Sequence, residues 1–275
     1  MINTKTKTQE TWPALSEKPF YETDQVRLYR GDSLQLSGQL QQTDQPVIDA
    51  VITDPPYCSG AGTNAGRSAD PRIKYCQKGR DLGRPSFDGD VKDPRSYALW
   101  CSIWLSSLRA ISLPSAYCLV FSDWRMQATV QDAIQVAGWT YRGMIAWNKG
   151  RGTRVPHKGY FRHQNEFIPW ASNGGLNKLT DRGPFDGCYS IPVRQKDKHH
   201  MTGKPTELMR QLVQVAPVGG LVVDPFAGSG STGVAAVLEG RRALLIEQSE
   251  EYCEIAAKRL EAAAKGEILD WVKTA

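Results

Sequence analysis

The chain has 275 residues, of which 40% are hydrophobic and 23% are charged, and this ordinary globular composition excludes wholesale disorder. Its net charge of +5 is only a weak indication of an acidic partner. No two of the six cysteines lie closer than 17 residues, which excludes a disulfide scaffold or a C-x-x-C zinc ribbon and favours reduced thiols in a cytoplasmic protein. No apolar run reaches the roughly 18 residues of a membrane-spanning helix. Residues 1–18 are polar and predict a flexible leader without the apolar core of a signal peptide.

The first half of the chain predicts alternating strands and helices. Residues 47–53 form an apolar, β-branched run that is typical of a buried strand, and the two prolines of Asp54-Pro55-Pro56-Tyr57 end it. Residues 58–95 show no period and are rich in Gly, Pro, Arg and Asp, so we expect a functional loop there. The hydrophobic spacing predicts the remaining elements of this half: strands at 26–29, 116–121 and 141–147, and helices at 94–112 and 124–137.

The positive charge is concentrated between residues 142 and 204. This segment contains twelve Lys and Arg residues and four acidic residues, a net charge of +8. The rest of the chain contains 22 Lys and Arg residues and 25 acidic residues, a net charge of −3. Aromatic residues are interleaved with the basic ones, and this combination suits a polyanion that carries bases; a solvated loop face with clustered charges is the alternative. The charge pattern therefore predicts a nucleic-acid-binding region at 148–199, with the loop 58–95 near the nucleic acid. The predicted contacts are Lys149, Arg151, Arg154, Lys158 and Arg162.

The C-terminal part alternates helices and strands again. The pattern predicts helices at 206–215, 231–239 and 250–265, and strands at 220–224 and 243–247. Because strands and helices alternate along most of the chain, we predict an α/β fold with a mostly parallel sheet and helices on both faces.

A glycine-rich turn follows the predicted strand that ends at Asp224. Its glycines Gly228, Gly230 and Gly233 match G-x-G-x-x-G, and Glu247 ends the next strand. Glycines let the backbone approach a ligand, a helix N-terminus offers free N–H groups, and an acid in this place accepts hydrogen bonds from ribose hydroxyls. A dinucleotide is one candidate ligand, and a plain tight turn is the structural alternative. Asp224 would repel a pyrophosphate, however, and favours S-adenosylmethionine (SAM), which carries an α-ammonium group and no phosphate.

The turn Asp54-Pro55-Pro56-Tyr57 follows the most apolar predicted strand of the N-terminal half. In an open α/β sheet, ligands bind beyond the carboxyl ends of the strands. Two prolines fix the backbone, so that the Asp54 carboxylate and the Pro55 carbonyl offer two rigid acceptors, and Tyr57 offers a flat ring. Two acceptors and a ring suit an exocyclic amino group on a planar base; a proline-rich turn with an incidental Asp is the alternative.

Three motifs in this order resemble those of one enzyme family. Asp-Pro-Pro-Tyr at 54–57, His-x-Thr-x-Lys-Pro at 200–205 and Asp-Pro-Phe-x-Gly-Ser-Gly at 224–230 are similar to the motifs of permuted β-class DNA amino-methyltransferases, whose catalytic motif precedes the SAM motif. Gly203 departs from the pattern, since members often have Gln there. The resemblance implies a Rossmann-like SAM-dependent methyltransferase fold with a circularly permuted motif order. The implied parts are a catalytic half at 19–147, a small target-recognition insertion at 148–199 and a SAM-binding half at 200–275.

The resemblance also implies a cofactor site. Asp32 would contact the adenine amino group of SAM, and Glu247 would hold the ribose hydroxyls. No metal is indicated, because no acid or cysteine completes a ligand set with the adjacent His199 and His200. The other cofactor residues that the resemblance implies are Thr202 and Lys204 on the side of the methionine carboxylate, and Asp224, Phe226, Gly228 and Gly230 along the methionine and ribose.

The implied substrate is DNA, with the target base flipped out of the helix or already unpaired. Asp54, Pro55, Pro56 and Tyr57 would be the catalytic residues: the first two hold the amine and the tyrosine ring stacks on the base. An Asp at the first motif position favours the N6 amine of adenine, because the cytosine N4 enzymes of the family more often have Ser there.

Other interpretations stay open at this point. A cytosine N4 methyltransferase would use the same chemistry, and members of the family often form homodimers. An NAD-binding oxidoreductase would use the glycines but leaves the turn at 54–57 unexplained. RNA or protein amide methyltransferases commonly carry Asn-Pro-Pro-Tyr in an unpermuted order, which argues against them. A catalytically silent DNA-binding protein would not need every catalytic position to be filled.

Overall fold

The computed structural model describes residues 12–13, 15–41, 45–58, 92–152, 158–177, 181–192 and 203–268. Most of the predicted leader and of the loop 58–95 therefore lies outside the described residues. The strands are β1 (Tyr21–Glu22), β2 (Val26–Arg30), β3 (Ile48–Thr53), β4 (Ser112–Val120), β5 (Thr140–Asn148), β6 (Asn165–Ser172), β7 (Cys188–Ser190), β8 (Leu221–Asp224) and β9 (Arg242–Glu247). The α-helices are α1 (Ser33–Leu40), α2 (Pro94–Ala110), α3 (Gln127–Val136), α4 (Thr206–Leu212), α5 (Ser231–Leu238) and α6 (Glu250–Ala264).

The strands of the described residues form one mixed sheet in the order β1-β2-β9-β8-β3-β4-β6-β5-β7. The five strands from β2 to β4 in this order are parallel, whereas β6 is antiparallel to both β4 and β5. From β8 the chain passes through α5 to β9, towards the β1 edge of the sheet. From β3 it passes through α2 to β4, towards the β7 edge. The strand order therefore reverses between β8 and β3, which is where open α/β sheets bind their ligands.

Helices cover both faces of the sheet. The helices α1, α2 and α3 pack on one face through residues such as Leu36, Trp104 and Val130. The helices α4, α5 and α6 pack on the other face through residues such as Leu208 and Leu260. Because side chains alternate along a strand, a central strand such as β3 contributes to both cores, and its continuous apolar run follows from that double burial. The predicted α/β fold with a mostly parallel sheet and helices on both faces is confirmed.

Strand β6, with eight residues, is the longest strand that the sequence pattern does not predict. It lies inside the basic region, and Pro169 in its interior argues against a strand because proline removes a ladder hydrogen bond. The pairing of β6 with β4 stops at Trp170 and resumes only at the bridge between Phe167 and Ser122. Pro169 therefore lies in a gap of that ladder, and part of the predicted insertion belongs to the sheet.

The short elements α1, β1 and β7 are also absent from the sequence prediction. The Asp32 carboxylate caps α1 by accepting the N–H groups of Leu34 and Gln35, each over 3.0 Å, and such a cap starts a helix too short to show a clear period.

Across the part of the chain that the structure describes, no helix combines the length and the apolar character that a membrane span requires.

Candidate active site

The two turns that carry the sequence motifs lie side by side where the strand order reverses. The turn Asp54–Tyr57 follows β3, the glycine turn Pro225–Gly230 follows β8, and the two strands are neighbours in the sheet. The hydroxyl of Thr53, at the end of β3, donates to Oδ1 of Asp224, at the end of β8, over 2.6 Å. Both side chains are buried, so a hydrogen bond inside the core couples the two turns.

Asp224 is held in one orientation by three donors. Its Oδ1 also accepts the N–H of Phe226 over 3.0 Å, and its Oδ2 accepts the hydroxyl of Thr232 over 2.5 Å. The residue is only 3% exposed, and this burial raises the pKa of its carboxyl group to about 6, although the hydrogen bonds from Thr232 and Thr53 oppose the rise. A carboxylate that is fixed and costly to ionise thus lies at the base of the glycine turn.

Glu247 connects the glycine turn with the neighbouring strand ends. Its Oε2 accepts the N–H of Gly228, and its Oε1 accepts the N–H of Ser249, both over 2.8 Å. The N–H of Gly31 donates to the Glu247 carbonyl over 3.0 Å. The carboxyl ends of β2, β8 and β9 therefore form one hydrogen-bonded cradle, and burial raises the pKa of the Glu247 carboxyl group within it.

The three glycines of the turn have different roles. Gly228 and Gly230 have φ values of +51° and +80°, the left-handed region that glycine adopts without strain. Gly233 lies inside α5, where an added Cβ would come within 2.5 Å of the Leu245 side chain. The first two glycines shape the turn, and the third lets the helix approach the sheet closely.

The cradle also has an aromatic side and an exposed acid. The half-buried ring of Phe226 contacts Trp100 and Trp104, with centroid distances of 5.1 and 5.3 Å. The carboxylate of Asp32 is exposed beside the cradle at the start of α1. A ring, an exposed acid and the half-buried carboxylate of Glu247 at adjoining strand ends fit a ligand with a planar base, a ribose and a charged tail. The residues present are therefore those that SAM would require.

The turn Asp54–Tyr57, here called the catalytic turn because the sequence predicts that its residues are catalytic, belongs to a cluster of charged residues, here called the charged cluster (Asp54, Tyr57, Lys149, Glu166 and Lys204). Asp54 accepts the Tyr57 hydroxyl at Oδ1 over 2.6 Å, and its Oδ2 is ion-paired with the Lys204 ammonium. Oε2 of Glu166 lies 3.2 Å from the Tyr57 hydroxyl and 3.5 Å from Nζ of Lys204. Oε1 of Glu166 lies 2.8 Å from Nζ of Lys149. The two carboxylates and two ammonium groups balance each other in charge.

Burial and charge act against each other in the charged cluster. Burial raises the pKa of Asp54, and the Lys204 ammonium limits that rise. Burial would also raise the pKa of Glu166, but Lys204 and Lys149 outweigh it and lower that pKa below its ordinary value. Burial, Asp54 and Glu166 raise the pKa of Tyr57 well above its ordinary value, so its hydroxyl remains a hydrogen-bond donor.

The family model described as "DNA methylase" matches residues 48–258, a stretch that contains both motif turns and the whole charged cluster. The chain belongs to the N6/N4 DNA methylase family. This membership confirms the predicted SAM-dependent DNA methyltransferase, whose cofactor is S-adenosylmethionine and whose substrate is DNA.

Curated relatives match this methyltransferase over most of their length and of its own. The chain is 25% identical over 266 residues to the type II methyltransferase M2.DpnII of Streptococcus pneumoniae, covering 90% of this chain and 94% of the relative. Among solved structures, the M1.HpyAVI–SAM complex has a TM-score of 0.62 at 22% identity, covering 86% of this chain and 98% of the other. The cytosine-N4-specific PvuII DNA methyltransferase has a TM-score of 0.65 at 18% identity, covering 89% of each chain. Both structures support the fold.

Two residues that contact the motif turns are not among the sequence predictions. Glu166 lies in the unpredicted strand β6, and its only sequence signal is that no other acid occurs between Arg142 and Lys178. Arg259 is 4% exposed in α6. Its guanidinium donates to the carbonyl of Ser229 in the glycine turn and lies 3.3 Å from the hydroxyl of Thr206 at the start of α4. Arg259 therefore connects the glycine turn with the start of α4.

The predicted catalytic and cofactor residues are close together where the structure describes them. Pro55 is buried and Pro56 is half-buried beside Asp54. Lys204 is only 5% exposed and points to Asp54 and Glu166. Thr202, His199 and His200 lie outside the described residues. Among the residues that the structure describes, no group of three or more His, Cys, Asp or Glu could hold a metal ion.

The predicted DNA contacts fall into two groups. Lys149 is half-buried and ion-paired with Glu166, whereas Arg151, Lys158 and Arg162 are exposed; Arg154 lies outside the described residues. The segment 158–164 leads directly into β6, which carries Glu166 of the charged cluster. The same surface carries aromatic rings: Phe161 is 93% exposed, and Trp124 stacks on His163 with a centroid distance of 4.9 Å.

Proposed function

We propose that this methyltransferase transfers a methyl group from SAM to the N6 amine of adenine in DNA. The hydrogen bond from Thr53 to Asp224 supports the proposal most directly, because it sets the catalytic turn beside the glycine turn. Asp54 supports adenine as the target, since cytosine N4 members of the family more often have Ser in that place.

In the proposed cofactor site, the glycine turn faces the methionine and ribose of SAM. Gly228 and Gly230 allow close approach of the backbone, Phe226 lines the site, and Glu247 accepts hydrogen bonds from the ribose hydroxyls. Asp32, an exposed residue at the start of α1, contacts the adenine amino group through Oδ2, since Oδ1 caps the helix. Asp224 is also proposed to contact the cationic end of the methionine, and Thr202 and Lys204 are proposed to shape its carboxylate side, with the Lys204 ammonium directed to Asp54.

In the proposed reaction, the protein holds and activates the amine. When bound, SAM supplies a methyl group on a positively charged sulfur. The Asp54 carboxylate and the Pro55 carbonyl accept the two N–H groups, and Tyr57 stacks on the base, which contributes about 1–3 kcal/mol. Acceptors outside the ring plane favour a pyramidal nitrogen, whose lone pair is then free to attack. The nitrogen gains a methyl group and loses one proton, which the Asp54 carboxylate accepts.

The product of the reaction tests the proposed function. We expect the purified protein, incubated with SAM and unmethylated DNA, to produce N6-methyladenine, which is measured by mass spectrometry after digestion of the DNA to nucleosides. Replacing DNA by RNA in a parallel reaction provides the control. A DNA product without any methylated base would overturn the proposal.

The second candidate is methylation of the N4 amine of cytosine. The structural similarity to the cytosine-N4-specific PvuII methyltransferase favours it, and the geometry of two acceptors and a ring suits either amine. The same digest separates the two candidates, because N4-methylcytosine and N6-methyladenine differ in mass.

The proposed DNA surface consists of the exposed basic residues Arg151, Lys158 and Arg162, with Arg154 between them in the sequence. Lys149 is also a proposed contact, at the border between this surface and the charged cluster. Exposed rings such as Phe161 are interleaved with the charges, and rings beside cations suit a strand whose bases are unstacked.

Neutralising the DNA surface gives a prediction for binding. We expect the variant with Arg151→Ala, Arg154→Ala and Lys158→Ala to bind DNA more weakly, and its salt dependence to be shallower by about one for each phosphate that the protein no longer neutralises. Its SAM affinity should be unchanged. Fluorescence titrations at several salt concentrations measure both effects, and Lys258→Ala with Lys265→Ala on and just after α6 is the control. An unchanged salt slope would contradict the proposed surface.

The domain plan follows from this assignment. We propose a catalytic half at 19–147 and a SAM-binding half at 200–275, with target recognition at 148–199 confined to the segments between the sheet strands.

We further propose a homodimer, in keeping with the family resemblance, and a cytoplasmic location, because the enzyme has to reach DNA.

A further inference from the structure

Both oxygens of the proposed catalytic carboxylate already have donors. Oδ1 of Asp54 accepts the Tyr57 hydroxyl over 2.6 Å, and Oδ2 is ion-paired with the Lys204 ammonium. The proposed reaction requires Asp54 to accept an N–H of the target amine as well. A carboxylate oxygen can accept more than one hydrogen bond, but the amine gains a less occupied acceptor if one of these donors moves to another partner, and a buried donor needs such a partner.

Glu166 is within reach of the same two donors. Its Oε2 lies 3.2 Å from the Tyr57 hydroxyl and 3.5 Å from Nζ of Lys204. Its Oε1 is anchored by Lys149 at 2.8 Å, so Oε2 is held towards the catalytic turn. The side chain is only 16% exposed, and water therefore competes little for these contacts.

We propose that Glu166 is a positioning residue that takes over the Tyr57 hydroxyl and the Lys204 ammonium from Asp54 when the target amine binds. This inference rests on the proposed function and adds a residue that acts through Tyr57 and Lys204 without touching the base. The transfer moves no charge out of the cluster, because Lys204 remains between two carboxylates. Small movements suffice, since each donor already lies within 3.5 Å of Oε2.

The first test separates the rate of transfer from binding. We expect Glu166→Gln to lower the single-turnover rate of methyl transfer about 10²-fold at saturating SAM and DNA, with the affinity for SAM unchanged. Glu239→Gln is the matched control, because Glu239 is 18% exposed and ion-paired with Arg210 at 2.7 Å, outside the charged cluster. A rate equal to that of the wild type would overturn the role of Glu166 and leave the proposed function intact. A wild type that transfers no methyl group would overturn both.

The pH profile provides a readout that a purely structural role would not move. The groups that face Asp54 are Lys204, Glu166 and Tyr57, with Asp224 and Tyr97 further away. Glu166 raises the pKa of Asp54 and Lys204 lowers it, so Glu166→Gln should move the acidic limb of the pH–rate profile to lower pH. The limb should stay in place in Glu239→Gln. An unmoved limb in Glu166→Gln would contradict the proposal.

A second variant keeps the proposal testable if Glu166→Gln does not fold. Glu166→Asp retains the charge that balances Lys149 and Lys204 but draws the carboxylate back by one methylene. We expect a lower transfer rate in this variant as well, with an unchanged unfolding temperature in a thermal melt. Glu166→Asp with the wild-type rate would overturn the proposal, because the shorter side chain cannot reach both donors.

Discussion

Asp54→Ala is expected to abolish methyl transfer while SAM binding survives. Loss of the carboxylate removes both an acceptor for the amine and the base that takes its proton, and such groups each contribute about 10²–10⁴-fold to a rate. The variant should fold, because Lys204 retains Glu166 as a partner at 3.5 Å. The contacts of the cradle around Glu247 do not involve Asp54, so the cofactor site should keep its shape.

Two measurements check this expectation. Single-turnover transfer of radiolabelled methyl groups to unmethylated DNA reports the rate, and calorimetry reports the affinity for SAM. Asp49→Asn is the control, because Asp49 lies at the opposite end of β3 and accepts the N–H of Leu221 over 2.8 Å. An equal loss of transfer and of SAM binding in Asp54→Ala would mean that Asp54 supports the fold or the cofactor site instead.

The sequence predicts those parts of the site whose information is local. The apolar run of β3 and the two prolines after it place Asp54 at a strand end, and the glycines after β8 place Asp224 at another. Both conclusions use only neighbouring residues and the rule that ligands bind at the carboxyl ends of strands. The neighbouring position of β3 and β8 follows in turn from the resemblance to a known fold.

The charged cluster could not be predicted in the same way, because its contacts are distant in sequence. Lys204 is 150 residues from Asp54, and Glu166 is 109 residues from Tyr57. No periodicity indicates which charges of a basic segment turn inwards. Lys149 illustrates the difficulty: its place in the basic segment predicts a DNA contact, and the structure pairs it with Glu166. Pro169 argues against a strand in the sequence pattern, so the strand that carries Glu166 is not predicted. The strand accommodates this proline because the ladder between β6 and β4 is interrupted there.

The hydrogen bond between Thr53 and Asp224 connects the two halves of the proposed reaction. Thr53 precedes Asp54 directly, and Asp224 begins the glycine turn, so a displacement of either turn is transmitted to the other. Positioning contributes strongly to rates, and a misplacement of about 1 Å can cost about 10²-fold. Asp224 therefore combines two roles in our proposal, a fixed brace within the protein and a negative charge for the cationic end of SAM.

Asp224→Asn separates these two roles. An asparagine keeps the shape and one acceptor for the N–H of Phe226, and its amide can donate to the Thr232 hydroxyl, so the turn should persist. The negative charge is lost, and a hydrogen bond to a charged group contributes about 1.5–3 kcal/mol, roughly 10- to 100-fold in affinity. We expect SAM affinity to fall by that factor in calorimetric titrations, with the unfolding temperature preserved. Unchanged affinity would restrict Asp224 to the internal brace.

The pH dependence gives the same prediction a second signature. The pKa of Asp224 is raised from 3.8 to about 6 by burial, so the folded protein binds a proton between these values that the unfolded chain does not. The contribution of this group to stability therefore increases as the pH falls below about 6, whereas the SAM affinity of the wild type should decrease, because protonation removes the charge. In Asp224→Asn the part of each trend that Asp224 contributes should be absent. Acidification that weakens SAM binding equally in wild type and variant would assign the effect to another carboxylate, of which Glu247 is the nearest candidate in the cradle.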